Sequence, residues 1–222
     1  MQHGTIQDRI SRGYGSAARV IGAWCDVYRT STVAQPLDGS NHLMRLSAAF
    51  LPQDGRMRSP VGHGHVTWQG LFDAAYTRPG DFIVCAASHP GATDAAIFFI
   101  AAQQPLLPPL CIRTSANIQV ERSIMSNTIG AAGYGGTGAL TSVAVLSNWP
   151  ASIVHATGAG LNPLDLPATV APGSWELLFP TVPGLVLRTN DRITDDLGRT
   201  ATVTAAELSD LGWRVIAKEI AS

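Results

Sequence analysis

Lysine is almost missing from this chain: of its 15 basic residues only Lys218 is one, so fourteen are arginine. Charge of either sign is scarce, at 14% of 222 residues against about 25% in a typical soluble domain. Because 15 basic residues meet 16 acidic ones, the net charge is −1, and no overall field draws the chain to nucleic acid or an anionic membrane. Charge-poor surface is also what interface cores are made of, so neighbouring subunits are one way to cover it. Long apolar runs are absent as well. No stretch reaches the roughly 18 residues of a membrane span, and the start lacks a basic region followed by an apolar one, so neither a span nor a secretory signal is expected.

Cysteine is sparse, and Cys25, Cys85 and Cys111 are odd in number and widely spaced. They match neither a metal-ligand spacing nor the framework of a small secreted domain. Each adjoins apolar residues, so each is expected to act as a small hydrophobe in a chain folded in a reducing cytoplasm. Catalytic signatures are missing too: there is no G-x-S-x-G elbow, no Walker loop and no H-E-x-x-H. His63-Gly-His65 supplies two imidazoles without a third ligand at zinc spacing. Asp191 with Asp195-Asp196 lacks the alternating oxygens of an EF-hand loop. Gly130 to Gly138 is not flanked by the strand and helix that a dinucleotide loop joins. Arg56 and Arg58 are a single pair, too few for a nucleic-acid surface. The chain is therefore expected to be no enzyme and to hold no cofactor and no metal.

What is present reads as mainly β: an N-terminal helix followed by two small β-barrel or sandwich modules joined by a Gly-rich segment. Ile6, Ile10, Tyr14, Ala17, Ile21 and Trp24 recur at spacings of three and four, and Thr5 with Asp8 resembles a cap, so residues 5–24 are expected to be helical. Gly13 and Gly15 each cost such a helix about 1 kcal/mol, which calls for support from its own domain or from a neighbour. Residues 1–29 form this helix or arm. Residues 30–122 form a first β module, with strands at 81–85, 96–101, 110–113 and 118–122 between Pro and Gly turns. Residues 123–138 form a Gly-rich linker or loop, in a span to 173 whose one charge is Asp165. Residues 139–222 form a second module, with strands expected at 140–146, 149–154, 175–179, 185–187, 192–194, 200–204 and 213–217.

An internal echo supports two β modules, and two apolar segments are candidates for contact with partners. Arg78-Pro-Gly-Asp81-Phe-Ile83 is echoed by Arg188-Thr-Asn-Asp191-Arg-Ile193, and Ala101-Ala102 before Cys111-Ile112 by Ala205-Ala206 before Val215-Ile216, as if one hairpin unit were used twice. Trp68, Phe72 and Tyr76 crowd nine residues, and Pro105-Leu106-Leu107 opens a rigid apolar loop. If exposed, these mark an interface. The candidate assembly residues are Ile6, Ile10, Tyr14, Ile21, Trp24, Trp68, Phe72, Tyr76, Pro105, Leu106, Leu107, Tyr134 and Trp149.

Tyr14-Gly-Ser-Ala-Ala-Arg-Val-Ile-Gly22 leading to Val27-Tyr28-Arg29, Arg78-Pro-Gly-Asp-Phe-Ile-Val84, and Phe98 to Cys111 resemble structural proteins of tailed bacteriophages and prophages. Thr189 to Arg199 with Leu211-Gly-Trp-Arg-Val215 is similar to the closing β-hairpins of phage head–tail joining and tail-attachment proteins. The resemblance implies a virion component made in the host bacterial cytoplasm, a ring-forming neck or tail subunit. Its implied partners are copies of itself and other neck or tail proteins, without a membrane, and with nucleic acid only incidentally where the ring lines a DNA channel. A tail-tip or baseplate protein that binds fibres or a receptor is built the same way. From other classes, a cell-wall or polysaccharide hydrolase would use Asp73 with Asp81, and a carbohydrate-binding module would stack sugars on Trp68 and Tyr76.

Overall fold

The computed structural model describes residues 3–52, 67–87, 95–125, 140–156 and 173–220. Helix α1 (His3–Ile21) turns directly into β1 (Ala23–Tyr28), followed by β2 (His42–Pro52), β3 (Thr67–Leu71), β4 (Phe82–Cys85), β5 (Ala96–Ala102) and β6 (Leu110–Arg113). Then come β7 (Ala116–Met125), β8 (Leu140–Ala156), β9 (Ser174–Phe179), β10 (Arg192–Asp195), β11 (Thr200–Ser209) and β12 (Gly212–Glu219). The protein is mainly β, with two antiparallel six-stranded sheets.

Each sheet closes on itself, because its first strand pairs on both sides: β1 with β2 and β4, β7 with β8 and β10. The strand order is the same in both, β1-β2-β3-β6-β5-β4 and β7-β8-β9-β12-β11-β10. The residue register repeats as well. Tyr28 opposite Phe82 corresponds to Glu121 opposite Arg192, and Trp68 opposite Cys111 to Trp175 opposite Ala217. A shift interrupts β5–β6 between Ile100 and Ala102 and β11–β12 between Val203 and Ala205. Ala102 therefore matches Ala205 and Leu110 matches Ile216, which moves the downstream sequence echo by one residue on the first strand and two on the second.

The apolar runs of β4 and β5 do not alternate because both of their faces are covered. Ile83, Phe98, Ile100 and Cys111 point into the first sheet with Val27, Leu46 and Phe72. Their neighbours Phe82, Phe99, Ala101 and Ile112 join the second sheet's cluster around Trp149, Trp175, Leu177 and Val215. The Phe82 ring meets Trp149 edge-on at 5.9 Å. In contrast β9 alternates along its length, buried at Trp175, Leu177 and Phe179. One cluster thus spans both sheets.

The expected divisions differ from this arrangement. Residues 23–28, taken with the arm, are the first strand of the first sheet. Residues 116–122, taken with the first module, begin the second sheet, so the sheets meet at Thr114-Ser115 rather than at 123–138. Gly-rich 126–139 lies outside the described residues. Residues 140–146 and 149–154 are one strand, and 185–187 is no strand but a coil that buries Leu185 and Leu187. The helix ends at Ile21, so Trp24 stands on β1, and Thr5 lies inside the helix rather than capping it. Gly22 is required where the chain leaves α1, since a Cβ there would run into the carbonyl oxygens of Ala18 and Ala48.

The cysteine expectation is corrected. Cys25 and Cys85 sit opposite each other on β1 and β4 and are joined by a disulfide, while Cys111 is free and buried. Sequence spacing did not suggest the pair because 60 residues separate partners that only sheet closure makes adjacent.

Candidate assembly surface

Two arginine–aspartate clasps hold the closed sheets in corresponding places. Arg29, just after β1, donates from Nε to Asp81 Oδ1 at 2.8 Å and from Nη2 to Oδ2 at 2.7 Å, with a further bond from Nη2 to Tyr76 O at 3.1 Å. Arg122 on β7 does the same to Asp191 at 2.8 Å on both oxygens, and donates to Val186 O at 2.7 Å. The backbone N–H of Arg78 and of Arg188 completes each carboxylate, at 2.9 and 2.8 Å. Both aspartates are buried, and a two-pronged guanidinium is what neutralises such a carboxylate with directional bonds. The bond to each aspartate raises the Arg29 and Arg122 guanidinium groups above their ordinary value. Gly80 (φ +95°) and Asn190 (φ +70°) make the turn before each aspartate, in the left-handed region those residue types tolerate.

These bonds bear on the carboxylate pair named for a hydrolase. Asp81 has both oxygens engaged, and Asp73 Oδ1 accepts Ala75 N–H at 3.2 Å to start the turn Ala74–Tyr76. Asp195 is likewise committed, to Leu197 N–H, Arg199 N–H and Arg199 Nε. Among the described residues no three His, Cys, Asp or Glu side chains gather as a metal site. His63, His65, Arg56, Arg58 and Tyr134 lie outside those residues.

The connection between the sheets is short and tied to both. Thr114 N–H bonds Ile97 O at 2.8 Å, Ser115 N–H bonds Ala151 O at 2.9 Å, and Ser115 Oγ accepts Ile153 N–H at 2.9 Å. An open cleft of about 680 Å³ lies alongside, lined by Val84, Ile97, Arg113, Asn117 and Asp196 among others. Asp196 Oδ2 there accepts Asn117 N–H at 3.2 Å.

The candidate interface residues divide into three groups. Ile21, Trp24, Tyr76, Leu106 and Leu107 are each more than half exposed, at 62, 60, 64, 53 and 54%, with Pro105 also exposed and Ile6 at 43%. Ile10, Tyr14 and Trp68 are half-buried, and Trp68 packs edge-on to Phe98. Phe72 and Trp149 are fully buried and so are core residues, out of reach of a partner. Sequence reasoning passed over Val20, Leu197, Leu208 and Leu211, exposed at 84, 74, 51 and 47%. The signal for two of them was present: Asp-Leu-Gly recurs at 196–198 and 210–212, with leucine where a turn faces water.

Comparison with protein-family models, curated proteins and solved structures returns no match for this chain.

Proposed function

We propose that this chain is a non-enzymatic structural subunit of a tailed-phage virion, a ring-forming neck or tail component whose two closed sheets serve as tandem small β-barrels. The observation that carries the reading is the same strand order and the same Arg–Asp clasp used twice, fused through Thr114-Ser115 and one core cluster. Such a body holds its shape while presenting several surfaces. The exposed Ile21, Trp24, Leu106, Leu107, Leu208 and Leu211 lie on those outer surfaces, and the low charge suits contacts between subunits. Repeated heterologous contacts about an axis close a ring.

Against the hydrolase reading stand the bonds that engage both oxygens of Asp81 and the one that engages Oδ1 of Asp73. For a sugar-stacking module, Tyr76 is exposed but Trp68 is packed on Phe98. Quantitative mass spectrometry of purified particles, scaled to the major capsid protein, tests the virion reading. A small ring multiple is the expected copy number, and absence from the particle overturns the reading.

A further inference from the structure

We propose that the β11–β12 turn of one copy docks on the outer face of α1 in another copy. The proposal rests on the assembly reading above and names the partner within it as the chain itself.

The turn is built as a protruding contact. Residues 207–211 are exposed, while Gly212 and Trp213 behind them are buried, and the tip places Leu208 and Leu211 in water beside Glu207 and Asp210. Leu211 is held in place, because its N–H bonds Ser209 Oγ at 3.2 Å while that hydroxyl donates to Gly212 O at 3.1 Å. Gly212, at φ +116° and packed on Phe179 O, allows the return strand to leave the turn. A rigid tip loses little conformational freedom on binding.

The repeat of the fold indicates what such a turn meets. In the first sheet the corresponding connection is 103–109, between β5 and β6. It lies on α1, where Gln7 Oε1 accepts Leu106 N–H at 2.7 Å and the side chains of Gln7 and Ser11 line the same groove as Leu106 and Leu107. The second sheet has no helix beside its own turn, since α1 is the one α-helix among the described residues. A helix from another copy supplies what the first sheet has within the chain.

Charge and apolarity match on the two surfaces. Arg9, Arg12 and Arg19 are exposed on α1 and outnumber its one acid, the exposed Asp8, and among the described residues none of the three has an ion-pair partner. Val20, Ile21 and Trp24 continue the surface past the last arginine. The tip offers the opposite arrangement, two acids with two leucines. Arg214, which stands across from Glu207, is engaged by Glu176 at 2.6 Å. Because the tip belongs to the second sheet and α1 to the first, each copy has one of each surface, and the contact repeats head to tail.

The test is sedimentation velocity of the full chain up to high micromolar concentration, with circular dichroism of every variant. Wild type is expected to self-associate, more weakly as salt is raised. R12E/R19E and E207R/D210R are each expected to weaken association about tenfold or more, the effect of losing two complementary charge contacts. Mixing the two variants is expected to restore it, since the helix and the tip of each then both meet opposite charge on the other. L208S/L211S, which leaves the charges in place, is expected to weaken association as well and keeps the test decisive should a charge variant misfold. A wild type that stays monomeric, or reversals that associate like wild type, overturns the proposal. The two readings fail separately: ring copy number in particles with indifferent variants removes this contact alone, and a matched contact in a chain absent from particles removes the virion role alone.

Discussion

Replacing Arg29 by Met keeps the aliphatic stem and removes the guanidinium, so it isolates what the first clasp contributes. Asp81, 1% exposed, then loses the bonds from Nε and Nη2 and keeps the Arg78 N–H. Breaking a buried pair on one side costs about 3–5 kcal/mol, because the remaining charge is left without compensation. Arg29 is 29% exposed, and the Arg78 side chain lies 3.9 Å from Oδ1, close enough to take up part of the charge. The expected cost is therefore at the lower end, about 3 kcal/mol. The second sheet supplies the internal comparison. Arg122 is less exposed at 22%, and among the described residues no second side-chain cation lies within ion-pair distance of Asp191. R122M should accordingly cost more, about 4 kcal/mol. Adding D81N to R29M neutralises the stranded carboxylate and should recover about 1–2 kcal/mol, so the double change costs less than the sum of its parts. Urea unfolding followed by tryptophan fluorescence and far-ultraviolet circular dichroism measures all three. The cluster shared by the two sheets predicts a single coincident transition, which makes the free energies comparable. R29M costing under about 1 kcal/mol, or costing more than R122M, would refute this account of the clasps.

Other expectations follow from single positions. G22A should destabilise by about 2 kcal/mol or more, because the added methyl meets the carbonyl oxygens of Ala18 and Ala48, whereas G13A, with open space around it, should stabilise by about 0.5–1 kcal/mol in the same melts. F72A should cost about 3–5 kcal/mol, whereas Y76S, at a site 64% exposed, should cost under about 0.5 kcal/mol. Opening the Cys25–Cys85 bond under native-compatible reduction should lower stability by about 2–4 kcal/mol, as expected for a closed loop spanning 60 residues, and thermal melts with and without reductant measure it. Burial pushes the Cys111 thiol well above its ordinary value, so it stays protonated at neutral pH; iodoacetamide should label it only after unfolding, as peptide mass mapping will show.

The local elements lie close to the surface of the sequence. The three- and four-residue spacing of Ile6, Ile10, Tyr14, Ala17 and Ile21 marks α1, and the short apolar runs in 81–85, 96–101 and 110–113 mark β4, β5 and β6, because backbone periodicity and turn residues act over a few positions. The repeated Arg78…Asp81 and Arg188…Asp191 are legible for the same reason: each is a turn whose carboxylate bonds the backbone three residues back. Their arginine partners are not. Arg29 reaches Asp81 across 52 positions and Arg122 reaches Asp191 across 69, separations that only closure of each sheet removes. Closure likewise made neighbours of Cys25 and Cys85, and it turned Phe72, read as an interface aromatic, into core. Exposure was decided last, by which faces the tertiary arrangement covered. Trp149 went inside against Phe82, while Leu208 and Leu211 stayed in water, because composition sets how much apolar surface a chain has and only packing decides where it is left uncovered.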